Sequence, residues 1–341
     1  MAHVRYMIDN PPAPSDDTES AHVEAPGDSG YSTKGAWAAA NSVLAPGGGS
    51  WNQPAPNPSS PGWPTPWETA PIHLAQLLAP QLQQVGVASV SAPNGSVFSC
   101  VTTWPGYTTA RPATNSVLTY PANGGTIYTK ELASESPWTP GERVGLPDGT
   151  WTGPYLYAFA WGPFTDEHTK VAAASLADPA GRVDLRTVDV ALSDGYLPPG
   201  CALLIPVNPL RGGTTYTAEV TFVLGDARLS HRWSFHTPLV ANSIIHVGVG
   251  SDYKQWLRRK GPATVDLSTV DPHPPAVVVI QDGVSVRADV TGYDAGQPPE
   301  NSFHYFHAHF RRVTTSRITV CVTSGGHRTG YATARFCQRF E

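Results

Sequence analysis

The sequence predicts an α+β protein in which a helix-bearing N-terminal domain precedes two all-β sandwiches. Three observations lead there. Leu74, Leu77 and Leu78 recur with helical spacing and give one apolar face just before the strand-like Val85-Gly86-Val87-Ala88. From Ser116 onward, short β-branched and aromatic runs alternate with turn residues. The 341 residues include 34 prolines and 32 glycines, which favour turns and short strands over long helices. With 40% hydrophobic residues, a chain of this length buries two or three cores rather than one.

The first element to justify is the helix. Glu68-Thr69-Ala70-Pro71-Ile72-His73 opens it, with Pro71 suited to a first helical turn and His73 in that turn; the apolar face continues to Leu82. Upstream lie His3-Val4-Arg5-Tyr6-Met7, Ala21-His22-Val23-Glu24 and Gly30-Tyr31-Ser32-Thr33-Lys34-Gly35. Together these segments resemble the CAP superfamily, also called SCP or PR-1-like, over roughly residues 1–108. Ala70-Pro71-Ile72-His73 with Leu77-Leu78-Ala79-Pro80 is similar to the form seen in its bacterial branch.

The resemblance implies an α/β/α sandwich over residues 1–110, shortened at its N-terminus, with a cleft that gathers two histidines and two acidic residues. His22 and His73 match the histidines, and a divalent cation such as zinc is the implied cofactor. The acidic pair departs from the family pattern, because Ala36 of Gly35-Ala36-Trp37 stands where a Gly-Glu-Asn carboxylate is expected. Glu24, two residues after His22, and Glu68, five before His73, are the candidate substitutes.

Residues 41–66 form a Pro/Gly-rich loop, too dense in both residues for a helix or central strand. Trp51, Trp63 and the nearby Trp67 either line a groove for a sugar or peptide or pin the loop by packing.

Strands are expected next at 117–121, 155–161, 171–176, 202–206, 215–223 and 231–237, a sandwich rhythm over residues 116–240. Asn208-Pro209-Leu210-Arg211-Gly212-Gly213-Thr214-Thr215-Tyr216, closed by Trp233 to Thr237, resembles the Ig-like modules that follow bacterial CAP domains. A second small β-sandwich is expected over residues 241–341. Its clearest signal is Val277-Val278-Val279-Ile280-Gln281-Asp282-Gly283-Val284-Ser285-Val286, a hairpin turning at Asp282-Gly283. Cys321 and Cys337 sit in neighbouring strand-like runs around Gly325-Gly326 and are expected to bridge. Cys100 and Cys201 allow either a second bridge or two buried thiols. His307 and His309 share one strand face while His304 points away, so the three reach a common metal only through a bend.

Charge and motifs narrow the function. A net charge of −5, with no basic run longer than Arg258-Arg259-Lys260, gives no nucleic-acid footprint, and no apolar run reaches membrane-spanning length. No nucleophile elbow, phosphate-binding glycine loop or Cys-x-x-Cys occurs. Met1 to Asn10 shows no signal peptide, so the extracellular or cell-surface expectation comes from the resemblance. The expected role is noncatalytic binding of a cell-wall, glycan, lipid or protein ligand through the His22/His73 cleft and the tryptophan-bearing loop. The alternatives are a metal-dependent hydrolase with Glu24 or Glu68 as general base, and a structural spacer.

Overall fold

The computed structural model describes residues 1–11, 21–45, 67, 70–93, 97–133, 135, 138–249, 262–293, 303–315 and 317–340. Of these, 47% are in strands and 13% in helices. Two compact units divide the chain. The first runs through Thr237; the second starts at Pro238 and also takes in Arg211–Gly213.

The N-terminal part of the first unit has three two-turn helices, α1 (Ala2–Asp9), α2 (Thr33–Ala40) and α3 (Pro71–Leu78). Its strands β1 (Ser42–Ala45), β2 (Gly86–Ser91) and β3 (Val97–Thr102) form an antiparallel sheet in the order β1-β3-β2. Ser32 caps α2 by accepting from the Gly35 amide, as a helix start requires. α3 stops at Leu78, short of the apolar repeat that runs on to Leu82, because Pro80 cannot continue the ladder. Strand alternation sends Leu44, Ala88, Phe98 and Cys100 to one face, where they pack with Val4 and Met7 of α1. Val43, Ala45 and Val101 point the other way, towards Leu74 and Ala75 of α3.

That second face corrects the predicted fold class. The expected CAP-like α/β/α sandwich, and with it the α+β class, is not what forms; the protein is mostly β. A single eight-residue helix cannot cover the sheet, and the following sandwich takes the place of the missing helical layer.

That sandwich contains β4 (Ser116–Tyr120), β5 (Gly125–Thr126), β6 (Leu156–Trp161), β7 (Lys170–Asp178), β8 (Gly181–Val183), β9 (Leu185–Asp189), β10 (Cys201–Pro206), β11 (Thr214–Leu224) and β12 (Ala227–Thr237). One sheet has the order β4-β6-β10-β9 and the other β5-β12-β11-β7-β8. Leu156, Ala158, Ala202 and Leu204 face Tyr216, Val220, Phe222, Trp233 and Phe235 across the sandwich core. The intervening Tyr157, Phe159, Cys201, Leu203 and Ile205 point outward, into the core shared with α3 and β1. This explains two sequence runs, Leu-Tyr-Ala-Phe-Ala-Trp and Cys-Ala-Leu-Leu-Ile-Pro, that lack period-2 polarity: both strands are covered on both faces.

The second unit is also a two-sheet sandwich. β13 (Ile244–Val249), β14 (Ala263–Thr269), β17 (Asp289–Tyr293) and β18 (His304–Phe310) make a sheet ordered β13-β14-β18-β17. β15 (Ala276–Gln281), β16 (Val284–Arg287), β19 (Ile318–Gly326) and β20 (Tyr331–Phe340) make the other, ordered β16-β15-β19-β20. Val265, Leu267, Phe306 and Ala308 meet Val277, Val279, Val320 and Val322 between them. The β15–β16 turn is the expected Asp282-Gly283, with φ of 49° and 80°, the left-handed pair that two-residue hairpins need. Cys321 and Cys337 are disulfide-bonded and directly opposite in register, while Cys100 and Cys201 are buried free thiols.

Candidate site at the His22 and His73 rings

The two sequence-predicted histidines meet. The His22 and His73 rings lie nearly parallel, 12° apart, with centroids separated by 6.3 Å. His22 lies in a short helical turn, and His73 stands in the first turn of α3. His22 Nδ1 is 3.0 Å from the Ala39 carbonyl, which only accepts, so Nδ1 carries the proton and Nε2 a lone pair. Burial holds the His22 imidazole below its ordinary pKa of 6.5; the Ala39 contact opposes this, and the neighbouring His73 and His3 add to it.

A depressed histidine pKa has a definite sign in stability. The unfolded chain takes up the proton first as pH falls, so the contribution is complete above 6.5 and is lost on acidification from 6.5 through the lower folded value. Urea unfolding followed from pH 8 to pH 5 is expected to show this decline, amounting to about 1.4 kcal/mol for each unit of depression. In His22→Gln the decline should be shallower. An identical slope in both proteins would assign the acid sensitivity elsewhere.

The acidic group at His73 was not legible in the sequence. Glu135, from the sandwich, receives the Ile72 amide at 2.6 Å on Oε2 and the His73 amide at 2.9 Å on Oε1. His73 Nδ1 lies 2.7 Å from the same Oε1, outside hydrogen-bond geometry, so the carboxylate sits close to the ring without an aligned bond to it. The Glu135 side chain is 1% exposed. Ala70 at the helix N-cap has no side-chain acceptor, so the distant carboxylate satisfies the orphan amides and the positive helix end. A second tie runs from the Tyr157 hydroxyl to the Pro71 carbonyl at 3.4 Å; burial, assisted by Glu131 and Glu135, raises the Tyr157 pKa and keeps that hydroxyl protonated.

Glu24 has a different position. Its Oε1 is 3.1 Å from His3 Nδ1, its Oε2 accepts from the Ser32 amide at 3.0 Å, and His3 Nε2 reaches the Ala21 carbonyl at 2.9 Å. Glu24 and His3 are both buried. Trp67 is buried as well, in the core shared with α3, with its ring edge-on to His73 at 6.4 Å. Glu68, Trp51 and Trp63 lie outside the described residues.

A zinc ion takes three or four converging nitrogen, sulfur or oxygen donors. Among the described residues no group of three His, Cys, Asp or Glu side chains is placed to hold a metal. Glu24 spends its oxygens on His3 and a backbone amide, and Glu135 spends its own on α3, so the described donors do not fit the ion. In the second unit His307 and His309 share the outer face of β18, with ring centroids 5.8 Å apart. Asp266 Oδ1 sits 2.7 Å from His307 Nδ1, and His309 reaches the hydroxyls of Thr264 and Thr291, so this face is a hydrogen-bonded polar row.

No curated protein matches the chain. Among solved structures, bovine butyrophilin is similar at 8% identity and a TM-score of 0.27, covering 67% of this chain and 100% of that one. The titin domains Z1Z2 in complex with telethonin are similar at 10% identity and a TM-score of 0.24, covering 54% and 84%. Neither likeness is close enough to identify a fold. No helix among the described residues is long and apolar enough to cross a membrane. Residues 1–102, which carry α1, α2, α3, His22 and His73, match the model of the family described as CAP, the Cysteine-rich secretory protein family, so that segment of the chain is similar to this family.

Proposed function

We propose that this CAP-type protein is secreted or displayed at the cell surface and binds a cell-wall, glycan, lipid or protein ligand at the His22/His73 pair without turning it over. The observation that carries the reading is the commitment of both nearby carboxylates to structure. Glu24 is held by His3 and the Ser32 amide, and Glu135 by the start of α3, so neither is positioned as a free general base. What remains for a ligand is a pair of parallel imidazoles, one of them presenting an Nε2 lone pair. The Cys321–Cys337 bridge supports an oxidising compartment, where disulfides persist.

Zinc calorimetry on the wild type and His73→Ala separates this from the hydrolase reading. Binding weaker than micromolar, or unchanged by the substitution, is expected. Micromolar binding abolished in His73→Ala would overturn the noncatalytic reading. In parallel, retention on immobilised cell-wall polymer, glycan arrays and lipid vesicles should reveal a ligand whose binding falls by about tenfold or more in His22→Ala and His73→Ala, the loss expected for one or two hydrogen bonds. Retention on none of these, or retention indifferent to both substitutions, would favour a spacer.

A further inference from the structure

We propose that Glu135 is the positioning residue of the His73 ring, and that the histidine pair is therefore held jointly by the CAP-type segment and the sandwich that follows it. The proposal rests on the reading of the His22/His73 pair as the binding site. Four observations carry it. Glu135 lies 62 residues beyond His73 in sequence, yet reaches two consecutive amides and the ring Nδ1 of the same helical turn. The carboxylate is almost wholly buried, so solvent does not screen the contact. Ala70 supplies no cap of its own and Pro71 has no amide proton, leaving the Ile72 and His73 amides as the first donors α3 offers. Finally, both rings have an oxygen close to Nδ1: the Ala39 carbonyl hydrogen-bonds that of His22 at 3.0 Å, and Glu135 Oε1 lies 2.7 Å from that of His73.

A carboxylate behind Nδ1 fixes which edge of an imidazole faces outward and how far the ring turns. In this protein that carboxylate comes from outside the segment that carries the histidines. Sequence variation near residue 135 is then expected to alter recognition at His73 without touching the ligand.

Full-length Glu135→Gln and Glu135→Ala test this by two readouts that need no ligand: amide hydrogen exchange at Ile72 and His73, and the ¹⁵N shift of His73 Nδ1. In Glu135→Ala, exchange at both amides should accelerate by about tenfold or more, since hydrogen bonds to a charged acceptor are being removed. The Nδ1 shift should move in both variants, because glutamine keeps an acceptor but loses the charge. Unchanged exchange and an unchanged Nδ1 shift would overturn the proposal. If Glu135→Ala does not fold, the Glu135→Gln shift alone decides. A moved shift with unaltered ligand retention would keep the positioning role and reject the histidine pair as the binding site, so the two ideas fail separately.

Discussion

Residues 1–110 expressed alone are expected to show no cooperative thermal transition, whereas residues 1–237 should melt sharply. The three-stranded sheet has two apolar faces, and one of them is closed within residues 1–110 by α1, through Val4 and Met7. The other carries Val43, Ala45 and Val101 beneath Leu74 and Ala75, and its cover is Tyr157, Phe159, Leu203 and Ile205 of the sandwich. Each large aliphatic or aromatic side chain returned to water forfeits about 1.5–3 kcal/mol, and a whole domain is stable by only about 5–15 kcal/mol. The loss of several such contacts exceeds that margin. α3 also loses its Glu135 cap, and an isolated helix of eight residues lies well below the roughly 12–15 needed for stability in water. Near-ultraviolet circular dichroism and a thermal scan of both fragments check the expectation. A sharp transition in residues 1–110 would show that the small core around Met7 and Phe98 suffices.

Replacing Glu24 by alanine is expected to cost about 2–6 kcal/mol, because two buried partners each lose their hydrogen bond at about 1–3 kcal/mol apiece. His3 is fully buried, with Nδ1 against Glu24 and Nε2 against the Ala21 carbonyl. Without Glu24 the His3 Nδ1 edge has no partner and the Ser32 amide at the α2 N-cap loses its acceptor as well. The pocket is tight: a Cβ on Gly35 would fall 2.1 Å from Glu24 Oε1, so the glycine is there to let the carboxylate approach. Glu24→Gln keeps an acceptor for one neighbour and should lose less. Chemical denaturation of the first unit, alongside ligand retention, distinguishes roles. A stable Glu24→Ala protein that no longer binds would make Glu24 a site residue after all.

Local signals in the sequence served well where the determining contacts are local. Pro71 and the leucine spacing place α3, Asp282-Gly283 places the β15–β16 turn, and the runs around Cys321 and Cys337 place a bridged pair of strands. The helix end was misplaced, since the leucine repeat passes through Pro80 while the backbone ladder does not. The fold class was also wrong, because a family resemblance in residues 1–108 speaks to an intact helical layer. Whether one face of a three-stranded sheet is closed by helices or by the next domain depends on side chains more than 50 residues away, such as Tyr157 and Leu203. Glu135 was invisible for the same reason. A single glutamate in a loop carries no periodicity, and its partners are set by how β6 and β10 seat against α3.

The register of the last two strands bears on how the chain responds to a mechanical load. β20 is an edge strand, and pulling on the C-terminal end would ordinarily peel it from β19 one hydrogen-bonded pair at a time, like a zip. Cys337 faces Cys321 directly, and beyond it the described strand contains only Gln338, Arg339 and Phe340. The peel is arrested after those residues, where the tension passes through a covalent bond into β19, a central strand of its sheet.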